Sequence, residues 1–266
     1  MSKALFMRNL RAHWRLVLIF TLVLAMYFLI ILGMFDPLSP DIMGQLAAFK
    51  LSPALLAAFG FDTTTTELAG FLAGYFYGML MIALPLVMLV MLGNKLVAQT
   101  VERGSLATVL AAPLTRLRVA RTQALFLLCC ALLPALLITA LGLLGAGLLF
   151  PGQLDVPAFL RLNAATLCLH LFISGIAFVF SCLFSDTRWS QALGAGLPVF
   201  FLLAQMLAKS GSRVAWLRFL TPYTLFAPMD IVRGQPQALQ ALALLLGGLA
   251  LYGLGLAVFN KKDLPL

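Results

Sequence analysis

Long apolar stretches recur along the chain, and short segments that carry charges separate them. Six of these stretches contain no Asp, Glu, Lys or Arg. Each reaches or approaches the roughly 20 residues that an α-helix needs to cross about 30 Å of hydrocarbon. The predicted membrane-spanning helices are Leu16–Phe35, Leu68–Gly93, Ala124–Phe150, Leu162–Phe184, Ala192–Ala208 and Ala238–Phe259. The pattern therefore predicts an all-α polytopic membrane protein with six transmembrane helices.

The composition excludes an ordinary soluble enzyme. Of the 266 residues, 62% are hydrophobic and 10% are charged, whereas a soluble domain is about 45–50% apolar and about 25% charged. The four cysteines all lie in apolar stretches, where thiols behave as small hydrophobic groups, so a disulfide framework is not expected. No His, Cys, Asp and Glu cluster has metal-ligand spacing. We treat residues 1–266 as a single transmembrane domain.

The positive charges are divided unevenly between alternate connecting segments. The segments on the side of both termini hold twelve of the 18 Lys and Arg residues and three of the 9 acidic residues. Basic residues near membrane spans stay in the cytoplasm. This distribution predicts that both termini are cytoplasmic, and it explains the net charge of +9 by topology and by contact with anionic lipids rather than by binding of nucleic acid.

The N-terminal segment separates an apolar sector from a basic sector when it is placed on a helix. The apolar sector contains Phe6, Met7, Leu10 and Trp14, and the basic sector contains Arg8, Arg11 and Arg15. This pattern predicts a short helix that lies in the cytoplasmic interface before the first span. The alternative is a frayed basic tail that only enforces topology.

The segment between the second and third spans has the pattern of a docking element for a soluble partner. Leu106, Val109 and Leu110 recur at helical spacing, which predicts a short amphipathic helix over 105–112. Pro113 should end this helix, and Thr115 should cap the next one. Charged residues flank the predicted helix on both sides: Glu102, Arg103 and Arg116.

The same segment carries a resemblance to a known family. Its Glu102, Gly104, Ser105, Leu110, Pro113 and Arg116 match in spacing the E-x-G-[TS]-x(4)-L-x-x-P-x-x-R pattern of ABC-2-type permeases, the membrane subunits of ATP-binding-cassette exporters. Two further stretches, 217–223 and 259–264, also resemble that family. The resemblance fits the whole length of the chain.

The resemblance implies a coupling helix between spans 2 and 3 that touches a separate ATPase subunit, and short outer helices before span 6. The implied ATPase-coupling residues are Glu102, Arg103, Gly104, Leu106, Leu110, Pro113 and Arg116. Gln123 stands where family members often have a lysine. The chain lacks a G-x-x-x-x-G-K-[ST] sequence, so we expect ATP to be bound and hydrolysed by the partner, with no cofactor and no enzymatic activity in this chain.

The resemblance also implies a second permease copy, in a homodimer, and a bacterial inner-membrane location. Gly70, Gly74 and Gly78 are spaced four residues apart on the second predicted span. Such a small-residue stripe is typical of close helix contacts in membranes. It fits either a dimer interface or packing within one subunit, and both readings stay open at this point.

Polar residues inside spans are candidates for a substrate path. His170 lies near the middle of the fourth span, and Ser174 follows one turn later. We weigh structural packing, a role in a substrate path and intramembrane catalysis for His170, and we favour packing. Four basic residues in 209–237 fit either a vestibule for an anion or side chains that snorkel to lipid phosphates.

The function predicted from these features is that of an ABC exporter permease. It would form the translocation pathway and couple ATP hydrolysis by a separate subunit to export of a substrate. The alternative is a secondary transporter driven by an ion gradient, which normally needs titratable residues buried in its spans. Only His170 offers such a group in the predicted spans.

Overall fold

The structure is a computed structural model that describes residues 2–36, 67–102 and 115–262. Within these ranges 87% of the residues are helical and no strand occurs. The α-helices of the described ranges are α1 (Lys3–Gly33), α2 (Leu68–Leu72), α3 (Leu80–Leu96), α4 (Ala98–Glu102), α5 (Arg116–Leu149), α6 (Val156–Leu183), α7 (Thr187–Ser210), α8 (Pro228–Val232) and α9 (Ala238–Lys261). A π-helical turn follows α2 at Ala73–Tyr77, and two 3₁₀ helices precede α8 at Ser212–Leu220 and Pro222–Leu225.

Six helices of the described chain are long and apolar enough to cross a membrane. They are α1, the helix Leu80–Glu102 that α3 and α4 form together, α5, α6, α7 and α9. The prediction of an all-helical chain with six membrane-length helices is therefore confirmed, and the chain has the architecture of a multi-pass membrane protein. The stretch before the last of them contains the two 3₁₀ helices and α8, whose side of the membrane stays a prediction.

The prediction of a separate N-terminal helix is wrong, because α1 continues without a break from Lys3 to Gly33. The Ser2 side chain caps its first turn by accepting a hydrogen bond from the Leu5 N–H. No Gly or Pro occurs between Lys3 and Leu32, so nothing in the sequence ends the helix early. At 1.5 Å per residue α1 is about 46 Å long, and its basic first turns extend beyond one 30 Å hydrocarbon layer.

The second predicted span, 68–93, is also not one continuous helix. The chain leaves helical geometry at Met79, whose φ is −139° and ψ is −54°. The π-helical turn just before this break is held by the Tyr77 hydroxyl, which donates to Asn163 Oδ1 on α6 at 2.8 Å. The membrane-length helix is instead Leu80–Glu102, so residues 94–102, which the sequence placed in a loop, are helical apart from a turn at Val97.

Contacts at both ends show that α1 and α5 run in the same direction. The Ser2 N–H donates to Thr122 Oγ1 at 3.1 Å, which joins the start of α1 to the first turns of α5. At the other end of α1, the Phe35 ring lies 5.2 Å from the Phe150 ring after α5. We call the end of the bundle near Ser2 and Thr122 the basic end.

Helix α6 lies at the centre of the bundle and packs against α3, α5, α7 and α9. Its contact with α9 is close because glycines leave the two backbones room to approach. A Cβ built on Gly248 would lie 3.0 Å from the Leu171 carbonyl carbon, and one built on Gly255 would lie 2.6 Å from a Phe178 ring carbon. The close approach of α9 to α6 therefore depends on the absence of side chains at Gly248 and Gly255.

We predict that Gly248→Ala lowers the thermal stability of the detergent-solubilised protein. The added methyl group must displace the backbone of α6, and overpacking of this kind costs about 1–3 kcal/mol. Gly253→Ala is the matched control, because it lies on the same helix and a Cβ there meets nothing within 4 Å. Thermal unfolding measures both variants, and equal melting temperatures for the two would contradict this packing.

Candidate functional site

The predicted ATPase-coupling residues lie at the basic end of the bundle or outside the described residues. Arg103, Gly104, Leu106, Leu110 and Pro113 fall in 103–114, outside the described ranges. Glu102 is the last residue of α4, and Arg116 is the first residue of α5. These two residues therefore flank the connecting segment, and each contacts a different helix of the bundle.

Glu102 contacts the N-terminus of α7. Its Oε2 accepts a hydrogen bond from the Thr187 backbone N–H at 3.2 Å. The first N–H groups of a helix have no partner within the helix, and the N-terminus carries a partial positive charge. Asp186 caps the same terminus by accepting from the Arg188 N–H at 2.7 Å. Two carboxylates thus fix the start of α7, and one of them connects it to the end of α4.

Arg116, at the start of α5, is connected to two other helix ends through Lys262. Its Nη1 donates to the Lys262 carbonyl oxygen at 3.1 Å, just after the end of α9. The Lys262 ammonium donates in turn to the Cys182 carbonyl oxygen in the last turn of α6, at 3.2 Å. Burial lowers the pKa of Lys262, and its interaction with Cys182 opposes that effect. Because a cation at a helix C-terminus is favourable, these contacts stabilise the ends of α6 and α9 next to the start of α5.

The start of α5 is capped as the sequence predicts. The Thr115 side chain accepts a hydrogen bond from the Arg118 backbone N–H at 3.3 Å, which confirms Thr115 as the N-cap. About two turns further along, Gln123 is buried and accepts a hydrogen bond from the Asn9 carboxamide of α1. At the position where ABC-2-type permeases often have a lysine, this chain has a neutral amide pair between α1 and α5.

The sequence does not reveal two pairs of hydrogen-bonded carboxamide side chains at the basic end. Asn9 pairs with Gln123, and Asn94 Nδ2 donates to Gln191 Oε1 at 3.3 Å, which joins α3 to α7. Buried amides nearly always have a partner, so an amide beside an apolar run is the signal that could have marked these residues. The two residues of each pair are 114 and 97 positions apart in the sequence, respectively. No local pattern therefore identifies the partner.

His170 has a specific structural partner on α3. Its Nε2 lies 2.8 Å from the Met81 carbonyl oxygen, and a carbonyl only accepts, so Nε2 carries the proton. Pro85 lies four residues after Met81 inside the same helix and has no N–H to donate. His170 therefore supplies the hydrogen bond that Pro85 cannot make. This contact gives His170 a structural role, because it joins α6 to α3.

Ser174 does not pair with His170. Its Oγ accepts a hydrogen bond from the Tyr252 hydroxyl at 2.9 Å and donates to the Leu171 carbonyl oxygen at 3.0 Å. The two side chains thus connect α6 to two different helices, α9 and α3. The geometry brings them together along one face of α6 but not into a nucleophile–base pair, which would need a direct hydrogen bond.

The glycine stripe of the second predicted span is interrupted in the structure. Gly70 lies in α2, Gly74 in the π-helical turn and Gly78 at the break before α3. A π-helical turn shifts the register, so a spacing of four residues no longer forms a straight row. Gly70 and Gly74 are buried inside the bundle and Gly78 is half-buried, which fits packing within one subunit.

We predict that His170→Ala destabilises the solubilised protein and that a second substitution repairs part of the loss. Without the imidazole, the Met81 carbonyl oxygen has no donor in an apolar interior, which costs about 1–3 kcal/mol. Pro85→Ala restores a backbone N–H four residues after Met81. The double variant should therefore lose less stability in thermal unfolding than the two single variants added together. Simple additivity would contradict the assigned contact.

No protein-family model, curated protein or solved structure matches this chain.

Proposed function

We propose that the chain is the membrane-spanning permease subunit of an ATP-binding-cassette exporter. It forms the translocation pathway, and a separate ATPase subunit binds and hydrolyses ATP. Six membrane-length helices and the resemblance of 102–116 to the ABC-2 pattern support this assignment. We further propose a homodimer in a bacterial inner membrane, with the basic end and both termini in the cytoplasm, as the distribution of Lys and Arg favours.

The observation that carries the proposal is the attachment of both ends of segment 103–114 to other helices. Glu102, before the segment, bonds to the start of α7, and Arg116, after it, bonds to the residue that follows α9. A force on the segment is therefore transmitted to α7 and α9 through hydrogen bonds, in addition to the covalent chain. This is the mechanical property that a coupling element requires.

In this mechanism, closure of two ATPase subunits on ATP moves segment 103–114. Leu106 and Leu110 of this segment fill a groove of the ATPase. Glu102 and Arg116 then transmit the movement to the ends of α7 and α9, and the spans rearrange between states open to opposite sides. Because two discrete arrangements are needed for coupling, the polar contacts at the basic end must break and form together.

We predict that Glu102→Gln lowers the ATP turnover that the permease stimulates in its partner, while the complex still assembles. Loss of the charge weakens the bond to the Thr187 N–H, and coupling free energies of 1–3 kcal/mol correspond to effects of roughly fivefold or more. Glu67→Gln is the matched control, since Glu67 lies before α2 at the opposite end. The measurement is ATP hydrolysis by the reconstituted complex. Equal rates for the two variants would contradict the assigned role.

A second prediction concerns the partner itself. The full chain, isolated gently from the membranes of its own host, should bring with it a subunit that binds ATP, and Leu110→Asp should abolish this association because a carboxylate cannot enter an apolar groove without cost. Arg121→Gln, an exposed change on α5, should retain it. Co-isolation without any ATPase would contradict the proposal.

The alternative function is transport driven by an ion gradient. The observation that bears on it is the Nδ1 of His170, which is buried and has no hydrogen-bond partner among the described residues. Reconstituted vesicles separate the two functions. Transport that needs ATP and the partner subunit supports the permease, whereas transport under an imposed proton or sodium gradient without ATP supports the alternative.

A further inference from the structure

A cavity opens between α1 and the junction of α3 with α4, at the basic end of the bundle. Its volume is about 250 Å³. The polar side chains that line it come from both sides and are Arg8, Asn9, His13, Lys95, Gln99 and Thr100. We call this space the basic cavity. It belongs neither to segment 103–114 nor to the contacts of Glu102 and Arg116.

The basic cavity has an excess of positive charge. Arg8 comes from α1 and Lys95 from α3, and both line the cavity together with His13. No carboxylate lines the cavity among the described residues. Among the described residues, neither Arg8 nor Lys95 forms an ion pair with a carboxylate. Two cations that face one cavity repel each other unless an anion enters, so the site is electrostatically suited to an anion.

The hydrogen-bonding groups of the basic cavity favour an anion with several oxygen atoms. A guanidinium offers up to five N–H donors in a planar fork, and an ammonium offers three. The Gln99 carboxamide adds two donors. The Asn9 carboxamide already donates to Gln123, so it positions α1 rather than binding a ligand. A phosphate group matches this set, because its oxygens accept charge-assisted hydrogen bonds from Arg and Lys together.

The position and the size of the basic cavity restrict the ligand further. At about 46 Å, α1 is longer than one hydrocarbon layer of about 30 Å. Its charged side chains all lie within residues 3–15, which favours a position of its first turns at the headgroups, where lipid phosphates occur. The cavity is smaller than the roughly 300–1,000 Å³ of pockets that enclose drug-sized ligands. It can therefore hold a headgroup but not a whole lipid, whose chains would remain outside.

From these four observations we propose that the basic cavity binds a phosphate group, supplied either by the headgroup of an anionic phospholipid or by soluble phosphate. The bound group bridges α1 and α3 through Arg8 and Lys95. This binding does not depend on the transport function proposed above. It would hold equally for a secondary transporter with the same fold.

The test uses the purified full chain in detergent and two probes. The first probe is phosphatidic acid, compared with phosphatidylcholine of the same acyl chains, and native mass spectrometry measures the bound lipid. The second is inorganic phosphate, compared with chloride at equal ionic strength, and the shift of the melting temperature measures its binding. The variant is Arg8→Gln with Lys95→Gln. The matched control is Arg11→Gln with Arg118→Gln, which removes two positive charges on exposed residues outside the cavity.

The wild-type protein and the control should bind phosphatidic acid with similar affinity and in preference to phosphatidylcholine. The cavity variant should bind it more weakly, by roughly tenfold for each lost cation. Exchange of the two cations, Arg8→Lys with Lys95→Arg, should retain binding, which separates charge from misfolding. Equal losses in the cavity variant and the control would overturn the proposal.

The two probes distinguish the source of the phosphate group. Displacement of phosphatidic acid by inorganic phosphate, or binding of inorganic phosphate alone with the same dependence on Arg8 and Lys95, supports a site that accepts soluble phosphate. Binding of phosphatidic acid only supports the lipid headgroup. If neither probe binds in a manner that depends on these two cations, the proposal is wrong.

Discussion

The structure depends on one constraint, which is that hydrocarbon offers no hydrogen bonds to the backbone. Wherever a helix leaves a peptide group unpaired, another part of the chain has to supply the partner. The Met81 carbonyl oxygen is the clearest case, because Pro85 removes its helical donor and the His170 imidazole replaces it. The helix ends at the basic end are also paired, although water could serve there: Lys262 donates to a terminal carbonyl of α6, and Glu102 accepts from a terminal N–H of α7.

These contacts make the basic end a connected unit rather than a set of separate loops. Side-chain bonds join α1 to α5, α3 to α7, α4 to α7, and the start of α5 to the ends of α6 and α9. The opposite end contains aromatic contacts, such as Phe35 with Phe71 and Phe150, as well as hydrogen bonds, such as that between Tyr77 and Asn163. A network of side-chain hydrogen bonds that joins several helix ends can change between discrete arrangements. Under the proposed function, the basic end is therefore where the ATPase subunit acts on the bundle.

The sequence predicts the features that depend on local pattern. Apolar run length identifies the six membrane-length helices, and Thr115 before a long apolar run identifies a cap. The break at Met79 could not be predicted, because apolar residues continue on both sides and the Tyr77–Asn163 bond that accompanies it spans 86 positions. For the same reason the sequence does not single out Gly248 and Gly255, where α9 approaches α6 closely. Spacing alone does not show which glycines face a neighbouring backbone.

The most direct test of the account is the location of segment 103–114. Ser105→Cys, in a chain whose four native cysteines are replaced, can be labelled with a maleimide that does not cross membranes. The account predicts labelling in inverted vesicles but not in intact cells, and protection from labelling when the ATPase subunit is bound. Labelling of Ser105→Cys from outside intact cells would contradict it.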